Sequence, residues 1–195
     1  MLQRRSRSTV LPPPSAIDDE QPEIERGPDG QAGVRLYRMV QQLAAVGHDF
    51  FIQNDQGEKL FKVDGETSQV RDSLVFRDMD GNELCKIQLR QLQVRDTFEV
   101  ERPLGETLVS VKKTMMTPLR DRFTIRIEKG PVLSVQGNIL DHEYRISDDR
   151  RTVAVVSKKW FRARGSYGVE IAPGKNDIAI LAATVCIDQM VSPAR

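Results

Sequence analysis

Short runs of alternating apolar and polar residues dominate the chain from residue 34 onward. Stretches such as KLFKV (59–63) and TFEVE (97–101) place apolar side chains at every second position, the period of a β-strand with one buried face. Turn-forming clusters separate these runs at NDQG (54–57), DMDGN (78–82), PLGE (103–106), EKGP (128–131) and PGKN (173–176). Short strands at this regular spacing predict an antiparallel β-sandwich or barrel.

One seven-residue motif occurs four times, as VRDSLVF, VRDTFEV, LRDRFTI and ARGSYGV, beginning at Val70, Val94, Leu119 and Ala163. In the second copy, Phe98 and Val100 share one face of the predicted strand, and Arg95 lies on the other. The Asp or Gly at the third position suits a bend or bulge. The motif therefore predicts strands entered through a kink, with the apolar face inward, rather than catalytic Arg–Asp pairs.

A longer likeness links HDFFIQNDQGEKLFKV, beginning at His48, to HEYRISDDRRTVAVV, beginning at His142. Each segment runs from an aromatic residue through an isoleucine and a turn into a strand. This likeness predicts two similar halves of about six strands each, and a total of roughly twelve strands favours a closed barrel over an open sheet.

The segment NDIAILAATVCIDQM predicts a C-terminal helix over about residues 177–190, with Asp177 at the N-cap position. Its large apolar side chains surround the helix, so it is expected to be buried on all sides or in a membrane. It is shorter than the roughly 20 residues that cross a bilayer, so no transmembrane span is predicted. A barrel of about twelve strands is too wide for its own side chains to fill. The sequence therefore predicts a mainly β protein, a closed antiparallel barrel around a central hydrophobic C-terminal helix.

The chain before this barrel is of a different character. Residues 1–33 contain PPP, DDE and few large apolar side chains, which predicts a disordered tail before a single domain over residues 34–195. The domain opens with LYRMVQQLAAV, whose apolar residues recur at helical spacing, although Tyr37, Met39 and Leu43 also alternate as in a strand. The pattern favours a helix over residues 35–46 and leaves the strand open.

Composition narrows the setting of the protein. The net charge of +1 gives no indication of nucleic-acid binding, and none is expected. Cys85 and Cys186 lie far apart in unrelated contexts, which argues against a disulfide framework and fits a reducing cytoplasm. The basic N-terminus lacks the apolar segment of a secretory signal. We therefore expect a soluble cytoplasmic protein.

Motifs for metal binding and catalysis fit poorly. A calcium loop that begins at Asp78 would need glycine at its sixth position, but Gly81 is at the fourth, so DMDGN predicts a hairpin turn. The two histidines, His48 and His142, are expected at equivalent, distant positions and predict no zinc site. Neither a nucleophile elbow nor a Gly-rich phosphate loop is present. The sequence predicts no catalytic residue, metal or cofactor.

The strongest candidate binding residues are basic. They come from SVKKTMM and VSKKWFRAR and comprise Lys112, Lys113, Lys158, Lys159, Trp160, Arg162 and Arg164. Basic and aromatic side chains together suit an anionic lipid interface, where each Lys or Arg contributes about 1 kcal/mol. These residues predict a lipid- or phosphate-binding surface. The alternative is a set of solvated strand edges, with Trp160 in the core.

Seven segments, in order across residues 35–190, resemble LURP-one-related proteins. They are YRMVQQL, GHDFFI, KLFKVDG, VRDSLVFRDMDGNELCKI, GNILDHEY, VAVVSKKWFRARGSYGVEI and CIDQM. That family belongs with the tubby C-terminal domain and the phospholipid scramblases. The resemblance implies a twelve-stranded antiparallel barrel around a hydrophobic C-terminal helix, with the first segment as strand one.

The same resemblance implies a non-catalytic binding or scaffold module. Tubby domains bind phosphoinositides and scramblases are associated with lipid movement, although no ligand-binding residue carries over to this chain. Peripheral contact with an anionic membrane surface, or with a protein partner, is the expected role. Two alternatives stay open: a barrel that binds a hydrophobic small ligand or has an unrecognised enzymatic activity, and a protein-interaction regulator with no lipid role.

Overall fold

A computed structural model describes residues 33–41, 50–65, 73–92, 95–117, 120–149, 151–161 and 165–191. Several sequence-based predictions concern residues outside these ranges. They are the tail before Gly33, residues 42–46, His48, Val70, Val94, Leu119, Arg162, Ala163 and Arg164.

The described residues form twelve antiparallel strands in one closed barrel. The strands are β1 (Arg35–Gln41), β2 (Phe50–Gln53), β3 (Lys59–Gly65), β4 (Ser73–Asp78), β5 (Glu83–Leu92), β6 (Arg95–Glu101), β7 (Thr107–Thr117), β8 (Arg120–Ile127), β9 (Val132–Asn138), β10 (Glu143–Ser147), β11 (Thr152–Ser157) and β12 (Ser166–Ile171). Strands consecutive in the chain are neighbours in the sheet, and β1 pairs with β12 to close it. The predicted closed antiparallel barrel is confirmed.

A single helix, α1 (Asp177–Val191), follows the last strand among the described residues. Every residue from Ala179 to Asp188 is buried, and the helix packs against β5, β6, β7, β8 and β12. The prediction of a central hydrophobic helix is therefore confirmed. Its N-cap is Asn176, whose Oδ1 accepts a hydrogen bond from the Ala179 amide at 3.1 Å, so the N-cap prediction for Asp177 is wrong by one residue.

The helix gives the barrel two distinguishable ends. We call the end where α1 begins proximal and the end where it finishes distal. Because neighbouring strands are antiparallel, odd-numbered strands run towards the distal end and even-numbered strands run back. The β9–β10 and β11–β12 connections are therefore distal, and the β2–β3 and β4–β5 turns are proximal.

Strand β1 decides between the helix and the strand left open for the first segment. Tyr37 and Met39 face the interior at 8% and 0% exposure, and the intervening Arg38 faces outward. Hydrogen bonding to both β2 and β12 requires an extended segment here, whatever the helical spacing of the apolar residues. The prediction of a helix is wrong for Arg35–Gln41.

All four copies of the repeated motif lead into strands that run in the same direction. Its four copies lead into β4, β6, β8 and β12, all of which run from the distal to the proximal end. Phe98 and Val100 are buried as predicted. Pairing between β5 and β6 runs through Asp96 without a register shift, so the strand has no bulge at this third position.

The likeness between the segments at His48 and His142 does not follow a six-strand repeat. The first segment leads into β2 and β3, and the second leads into β10 and β11, an offset of eight strands. Two equal halves would require an offset of six. The likeness reflects two hairpins that begin at the same end of the barrel.

The DMDGN cluster forms the predicted hairpin turn between β4 and β5. The Asp78 carboxylate accepts hydrogen bonds from the backbone amides of Asp80 and Asn82, and Gly81 adopts a φ of 89°. These bonds lower the pKa of Asp78, the side-chain amide of Asn82 having the largest effect. The described residues contain no helix with the length and hydropathy needed to cross a bilayer.

Candidate functional site

The distal turn after β11, which we call the lysine turn, contains the exposed residues Lys158 and Lys159. A carboxylate oxygen of Glu143 accepts hydrogen bonds from the backbone amides of Lys158 and Lys159 at 3.0 and 3.2 Å. The Ser157 hydroxyl donates to the same carboxylate. Neither lysine side chain forms an ion pair with a described residue, so both ammonium groups stay available to solvent.

The two aromatic residues that follow lie against the outside of the barrel. Trp160 and Phe161 cover Gly168 of β12, where a Cβ atom would lie 2.4 Å from Trp160 Cε3 and 2.9 Å from Phe161 Cε2. Trp160 packs in a small outer cluster with Val155 and Ala172. It is therefore half-buried on the outer surface, and the alternative that placed it in the core is wrong.

Arg38 of β1 extends this surface. Its guanidinium carbon lies 5.0 Å from the centre of the Phe161 ring, which is within the range of a cation–π contact. The Arg38 Nε atom is buried without a hydrogen-bond partner among the described residues. The cation–π contact favours this position of the guanidinium group over the ring.

Further cations continue across the neighbouring strands. The register pairs Val40 of β1 with Phe51 of β2, Phe51 with Lys62 of β3, and Lys62 with Arg77 of β4, all on the outer face. The Lys59 Nζ atom lies 3.8 Å from the centre of the Phe51 ring.

We call this surface the basic band. Its cations are Arg38, Lys59, Lys62, Arg77, Lys158 and Lys159, and its aromatic residues are Phe51, Trp160 and Phe161.

Two carboxylates, Asp64 and Glu143, contact residues of the basic band. Asp64 lies 2.7 Å from Lys62 Nζ and 3.0 Å from Arg77 Nη1. Glu143 accepts hydrogen bonds from the backbone amides of the lysine turn. Glu170 is a third carboxylate on this face, two residues beyond Gly168 on β12. The six cations still outnumber the three carboxylates, so the surface has an excess of positive charge.

The other predicted lysine pair lies elsewhere. Lys112 and Lys113 belong to β7, which stands opposite β1 in the closed strand order. Side chains alternate along a strand, so Lys112 faces outward while Lys113 faces inward. Lys113 Nζ lies 3.4 Å from the carbonyl oxygen of Met190, where a cation favours the negative end of the helix dipole. The structure thus brings together Lys158, Lys159 and Trp160 and separates them from the β7 pair.

Sequence reasoning missed four cations of the basic band, and Phe51 with them. Arg38, Lys59, Lys62 and Arg77 lie about a hundred residues before the lysine turn, and only barrel closure brings β1 beside β12. The alternation in KLFKV placed Lys59 and Lys62 on a strand, but nothing local pointed to their partners.

A buried polar cluster fills the distal end of the barrel interior. His142 Nε2 lies 2.6 Å from Asp188 Oδ1 of α1, and its ring stacks on Tyr167 with centroids 4.3 Å apart. Burial, followed by the Asp188 charge, raises the pKa of Tyr167 well above its ordinary value. His142 Nδ1 and the Tyr167 hydroxyl have no hydrogen-bond partner among the described residues. The cluster ties the last turns of α1 to the β9–β10 connection.

A second polar cluster anchors the proximal start of the helix. Asp177 accepts hydrogen bonds from Arg35 Nε, Arg35 Nη2 and the Tyr37 hydroxyl, each at 2.6 Å. Burial, and then the hydrogen bond to Asp177, raises the pKa of Tyr37 to about 12. The helix is therefore held to the barrel at both ends.

Two surface clefts accompany these features. The larger, of about 810 Å³, lies at the proximal end between β8, β9 and the β10–β11 turn. The smaller, of about 360 Å³, lies between β9, β10 and β11 and includes Glu143, the residue that holds the lysine turn. Only the smaller cleft adjoins the basic band.

Comparison with known proteins identifies a matching family and a solved structure with a similar fold. The family model described as LURP-one-related matches residues 36–188. The chain is similar to a protein from Arabidopsis thaliana solved by X-ray crystallography, with a TM-score of 0.59 and 19% sequence identity over 82% of this chain and 92% of that one. At this identity the likeness concerns the fold alone. Among the curated proteins, none matches the chain.

Proposed function

Because the chain belongs to the LURP-one-related family and presents a basic band with aromatic members, we propose that it is a non-catalytic module that binds anionic phospholipid head groups. In this proposal residues 34–195 act as one domain, peripheral to the cytoplasmic surface of a membrane. The family match supports the module, and the composition of the band supports the ligand.

The observation that carries the proposal is the preformed geometry of the lysine turn. Glu143 and Gly168 fix its backbone and its aromatic rings, so Lys158, Lys159 and Arg38 are held on one surface before any ligand arrives. A preorganised group of cations loses less conformational entropy on binding than flexible side chains do. Trp160 supplies an amphipathic ring of the kind that favours a membrane interface, and Phe161 adds an apolar ring beside it.

The predicted β7 pair and the two arginines of the same sequence motif have different places in this proposal. Lys112 faces solvent on the opposite side of the barrel, and Lys113 serves the helix end. Arg162 and Arg164 immediately follow Phe161 in the chain, so we include them as further cations of the surface, as the sequence predicted.

A hydrophobic ligand inside the barrel is less well supported. Helix α1 occupies the interior, and its residues Ile180, Leu181 and Val185 are all at 0% exposure. An outer surface is therefore the better candidate for binding.

Co-sedimentation with vesicles tests the proposal. The full chain is mixed with vesicles of phosphatidylcholine alone, or of phosphatidylcholine with phosphatidylserine, at low and high salt. We expect binding to the anionic vesicles only, and weaker binding at high salt because screening reduces it. The double variant Lys158→Ala/Lys159→Ala should lose about 2 kcal/mol, or roughly thirtyfold in affinity.

A charge-matched control separates a site from general attraction. Arg122 and Arg126 are exposed on the outer face of β8, away from the basic band. The variant Arg122→Ala/Arg126→Ala removes the same charge and should bind nearly as the wild type does. Equal losses in both variants, or no binding to anionic vesicles at all, would contradict the proposed surface.

A further inference from the structure

The chain enters the barrel on the face that carries the basic band. Gly33 and Val34 lead directly into β1, the strand of Arg38. Val34 packs in the outer cluster that contains Trp160, Val155 and Ala172. The segment before residue 33 therefore joins the barrel at the proximal end of β1, next to the outer cluster on which Trp160 packs.

That preceding segment carries a block of negative charge. Residues 18–25, DDEQPEIE, include five carboxylates and no basic residue. Seven residues separate Glu25 from Gly33, and the eight residue steps between the two give a reach of about 26 Å if extended. The basic band crosses from β12 to β4, four interstrand spacings or about 19 Å. The acidic block can thus reach every strand of the band.

Charge complementarity selects the occupant. Asp64 and Glu143 already have partners in the band, while Lys59, Lys158 and Lys159 form no ion pair with a described residue. We propose that residues 18–25 dock on the basic band of the same molecule and compete there with anionic head groups. The competition rests on the proposed lipid function, whereas the docking does not.

Docking of this kind sets a threshold for membrane binding. The acidic block is tethered beside its surface, so its effective concentration is in the millimolar range and does not depend on protein concentration. A sparsely charged membrane leaves the block in place, and a densely charged one displaces it. The tail thereby makes binding selective for surfaces of high negative charge.

Nuclear magnetic resonance of the full chain without lipid tests the docking. The tail variant Asp18→Asn/Asp19→Asn/Glu20→Gln/Glu23→Gln/Glu25→Gln removes the negative block and keeps the chain length. We expect its backbone amide resonances to differ from those of the wild type in β1 to β3 and in the lysine turn, and to agree in β8. High salt should produce the same changes in the wild type. Unchanged resonances across the basic band would overturn the docking.

Vesicle binding tests the competition. With phosphatidylcholine–phosphatidylserine vesicles, the tail variant should bind about tenfold more tightly than the wild type, as for a surface that the tail occupies in about nine of ten molecules. The control removes five exposed carboxylates elsewhere, as Asp80→Asn/Glu106→Gln/Glu128→Gln/Asp141→Asn/Asp149→Asn, and so changes net charge equally.

The outcomes of the two experiments separate the two ideas. A larger gain in vesicle affinity in the tail variant than in the control supports the competition. Equal gains in affinity overturn it. Resonance changes in the band, together with no vesicle binding by any variant, would refute the lipid function and the competition while supporting the docking.

Discussion

The packing of Trp160 and Phe161 against Gly168 can be tested by adding a single methyl group at that glycine. In Gly168→Ala the new methyl group would lie 2.4 Å from Trp160 Cε3, whereas an ordinary contact begins at 3.4 Å. The indole ring must therefore move by about 1 Å. The obstructing atoms belong to side chains, so the rings of Trp160 and Phe161 are expected to shift while the strand stays in place.

The expected loss of stability in Gly168→Ala can be worked out from the contacts that the ring shift disturbs. Overpacking of this kind costs about 1–3 kcal/mol, and the displaced Phe161 ring also loses its contact with Arg38. For a domain of this size, that cost lowers the Tm by roughly 2–4 °C per kcal/mol. The barrel interior, on the other side of β12, is not affected.

Intrinsic fluorescence provides a direct assay, because Trp160 is the single tryptophan of the chain. Gly168→Ala should shift the emission to longer wavelength, lower the Tm and weaken binding to anionic vesicles. Gly65→Ala is a matched control in β3, since its Cβ would meet nothing closer than Leu74 Cδ2 at 4.0 Å. Unchanged emission and Tm in Gly168→Ala would refute the packing of Trp160 and Phe161 against Gly168.

Further predictions concern the backbone, the two polar clusters and pH. Gly137→Ala should destabilise the chain more than Gly168→Ala, since its Cβ would lie 2.4 Å from a backbone oxygen at a φ of 133°; urea unfolding checks this. His142→Ala leaves the carboxylate of Asp188 buried without its partner and should cost about 3 kcal/mol, with a non-additive double variant His142→Ala/Asp188→Ala. Asp177→Asn weakens the charged hydrogen bonds at the helix start and should cost about 2 kcal/mol in the same assay. The pKa of Tyr37 is raised from 10.0 to about 12. Its contribution to stability is therefore complete below pH 10 and is lost as the pH rises from 10 to about 12. Tyrosinate absorbance should accordingly appear at higher pH in the folded chain than in the urea-unfolded chain.

Local patterns predicted the strands and the helix because their physical causes are local. Alternation along KLFKV places Val63 inward at 0% exposure and Lys62 outward. The apolar residues all around α1 required burial on every side, which predicted a helix within a barrel. Errors arose where a longer-range partner decided the outcome. One example is Arg35–Gln41, where pairing with β12 overrides the helical spacing.

The candidate site was predicted only in part for a related reason. The sequence placed Lys158, Lys159 and Trp160 together because they are adjacent in the chain. It also grouped them with Lys112 and Lys113, which the barrel holds on its opposite side. Similar local composition does not fix the position of a strand around the barrel.

By itself, the sequence determined most of the strands, the C-terminal helix and its burial, since hydrophobic periodicity and helix length act within a few residues. The expected number of strands then favoured a closed sheet. Only the tertiary structure decided which cations share a surface. Arg38 meets Phe161 because β1 closes against β12, and His142 meets Asp188 because α1 runs the length of the barrel. Contacts between residues so far apart in the chain depend on the register and order of all the strands between them, and no local pattern specifies these.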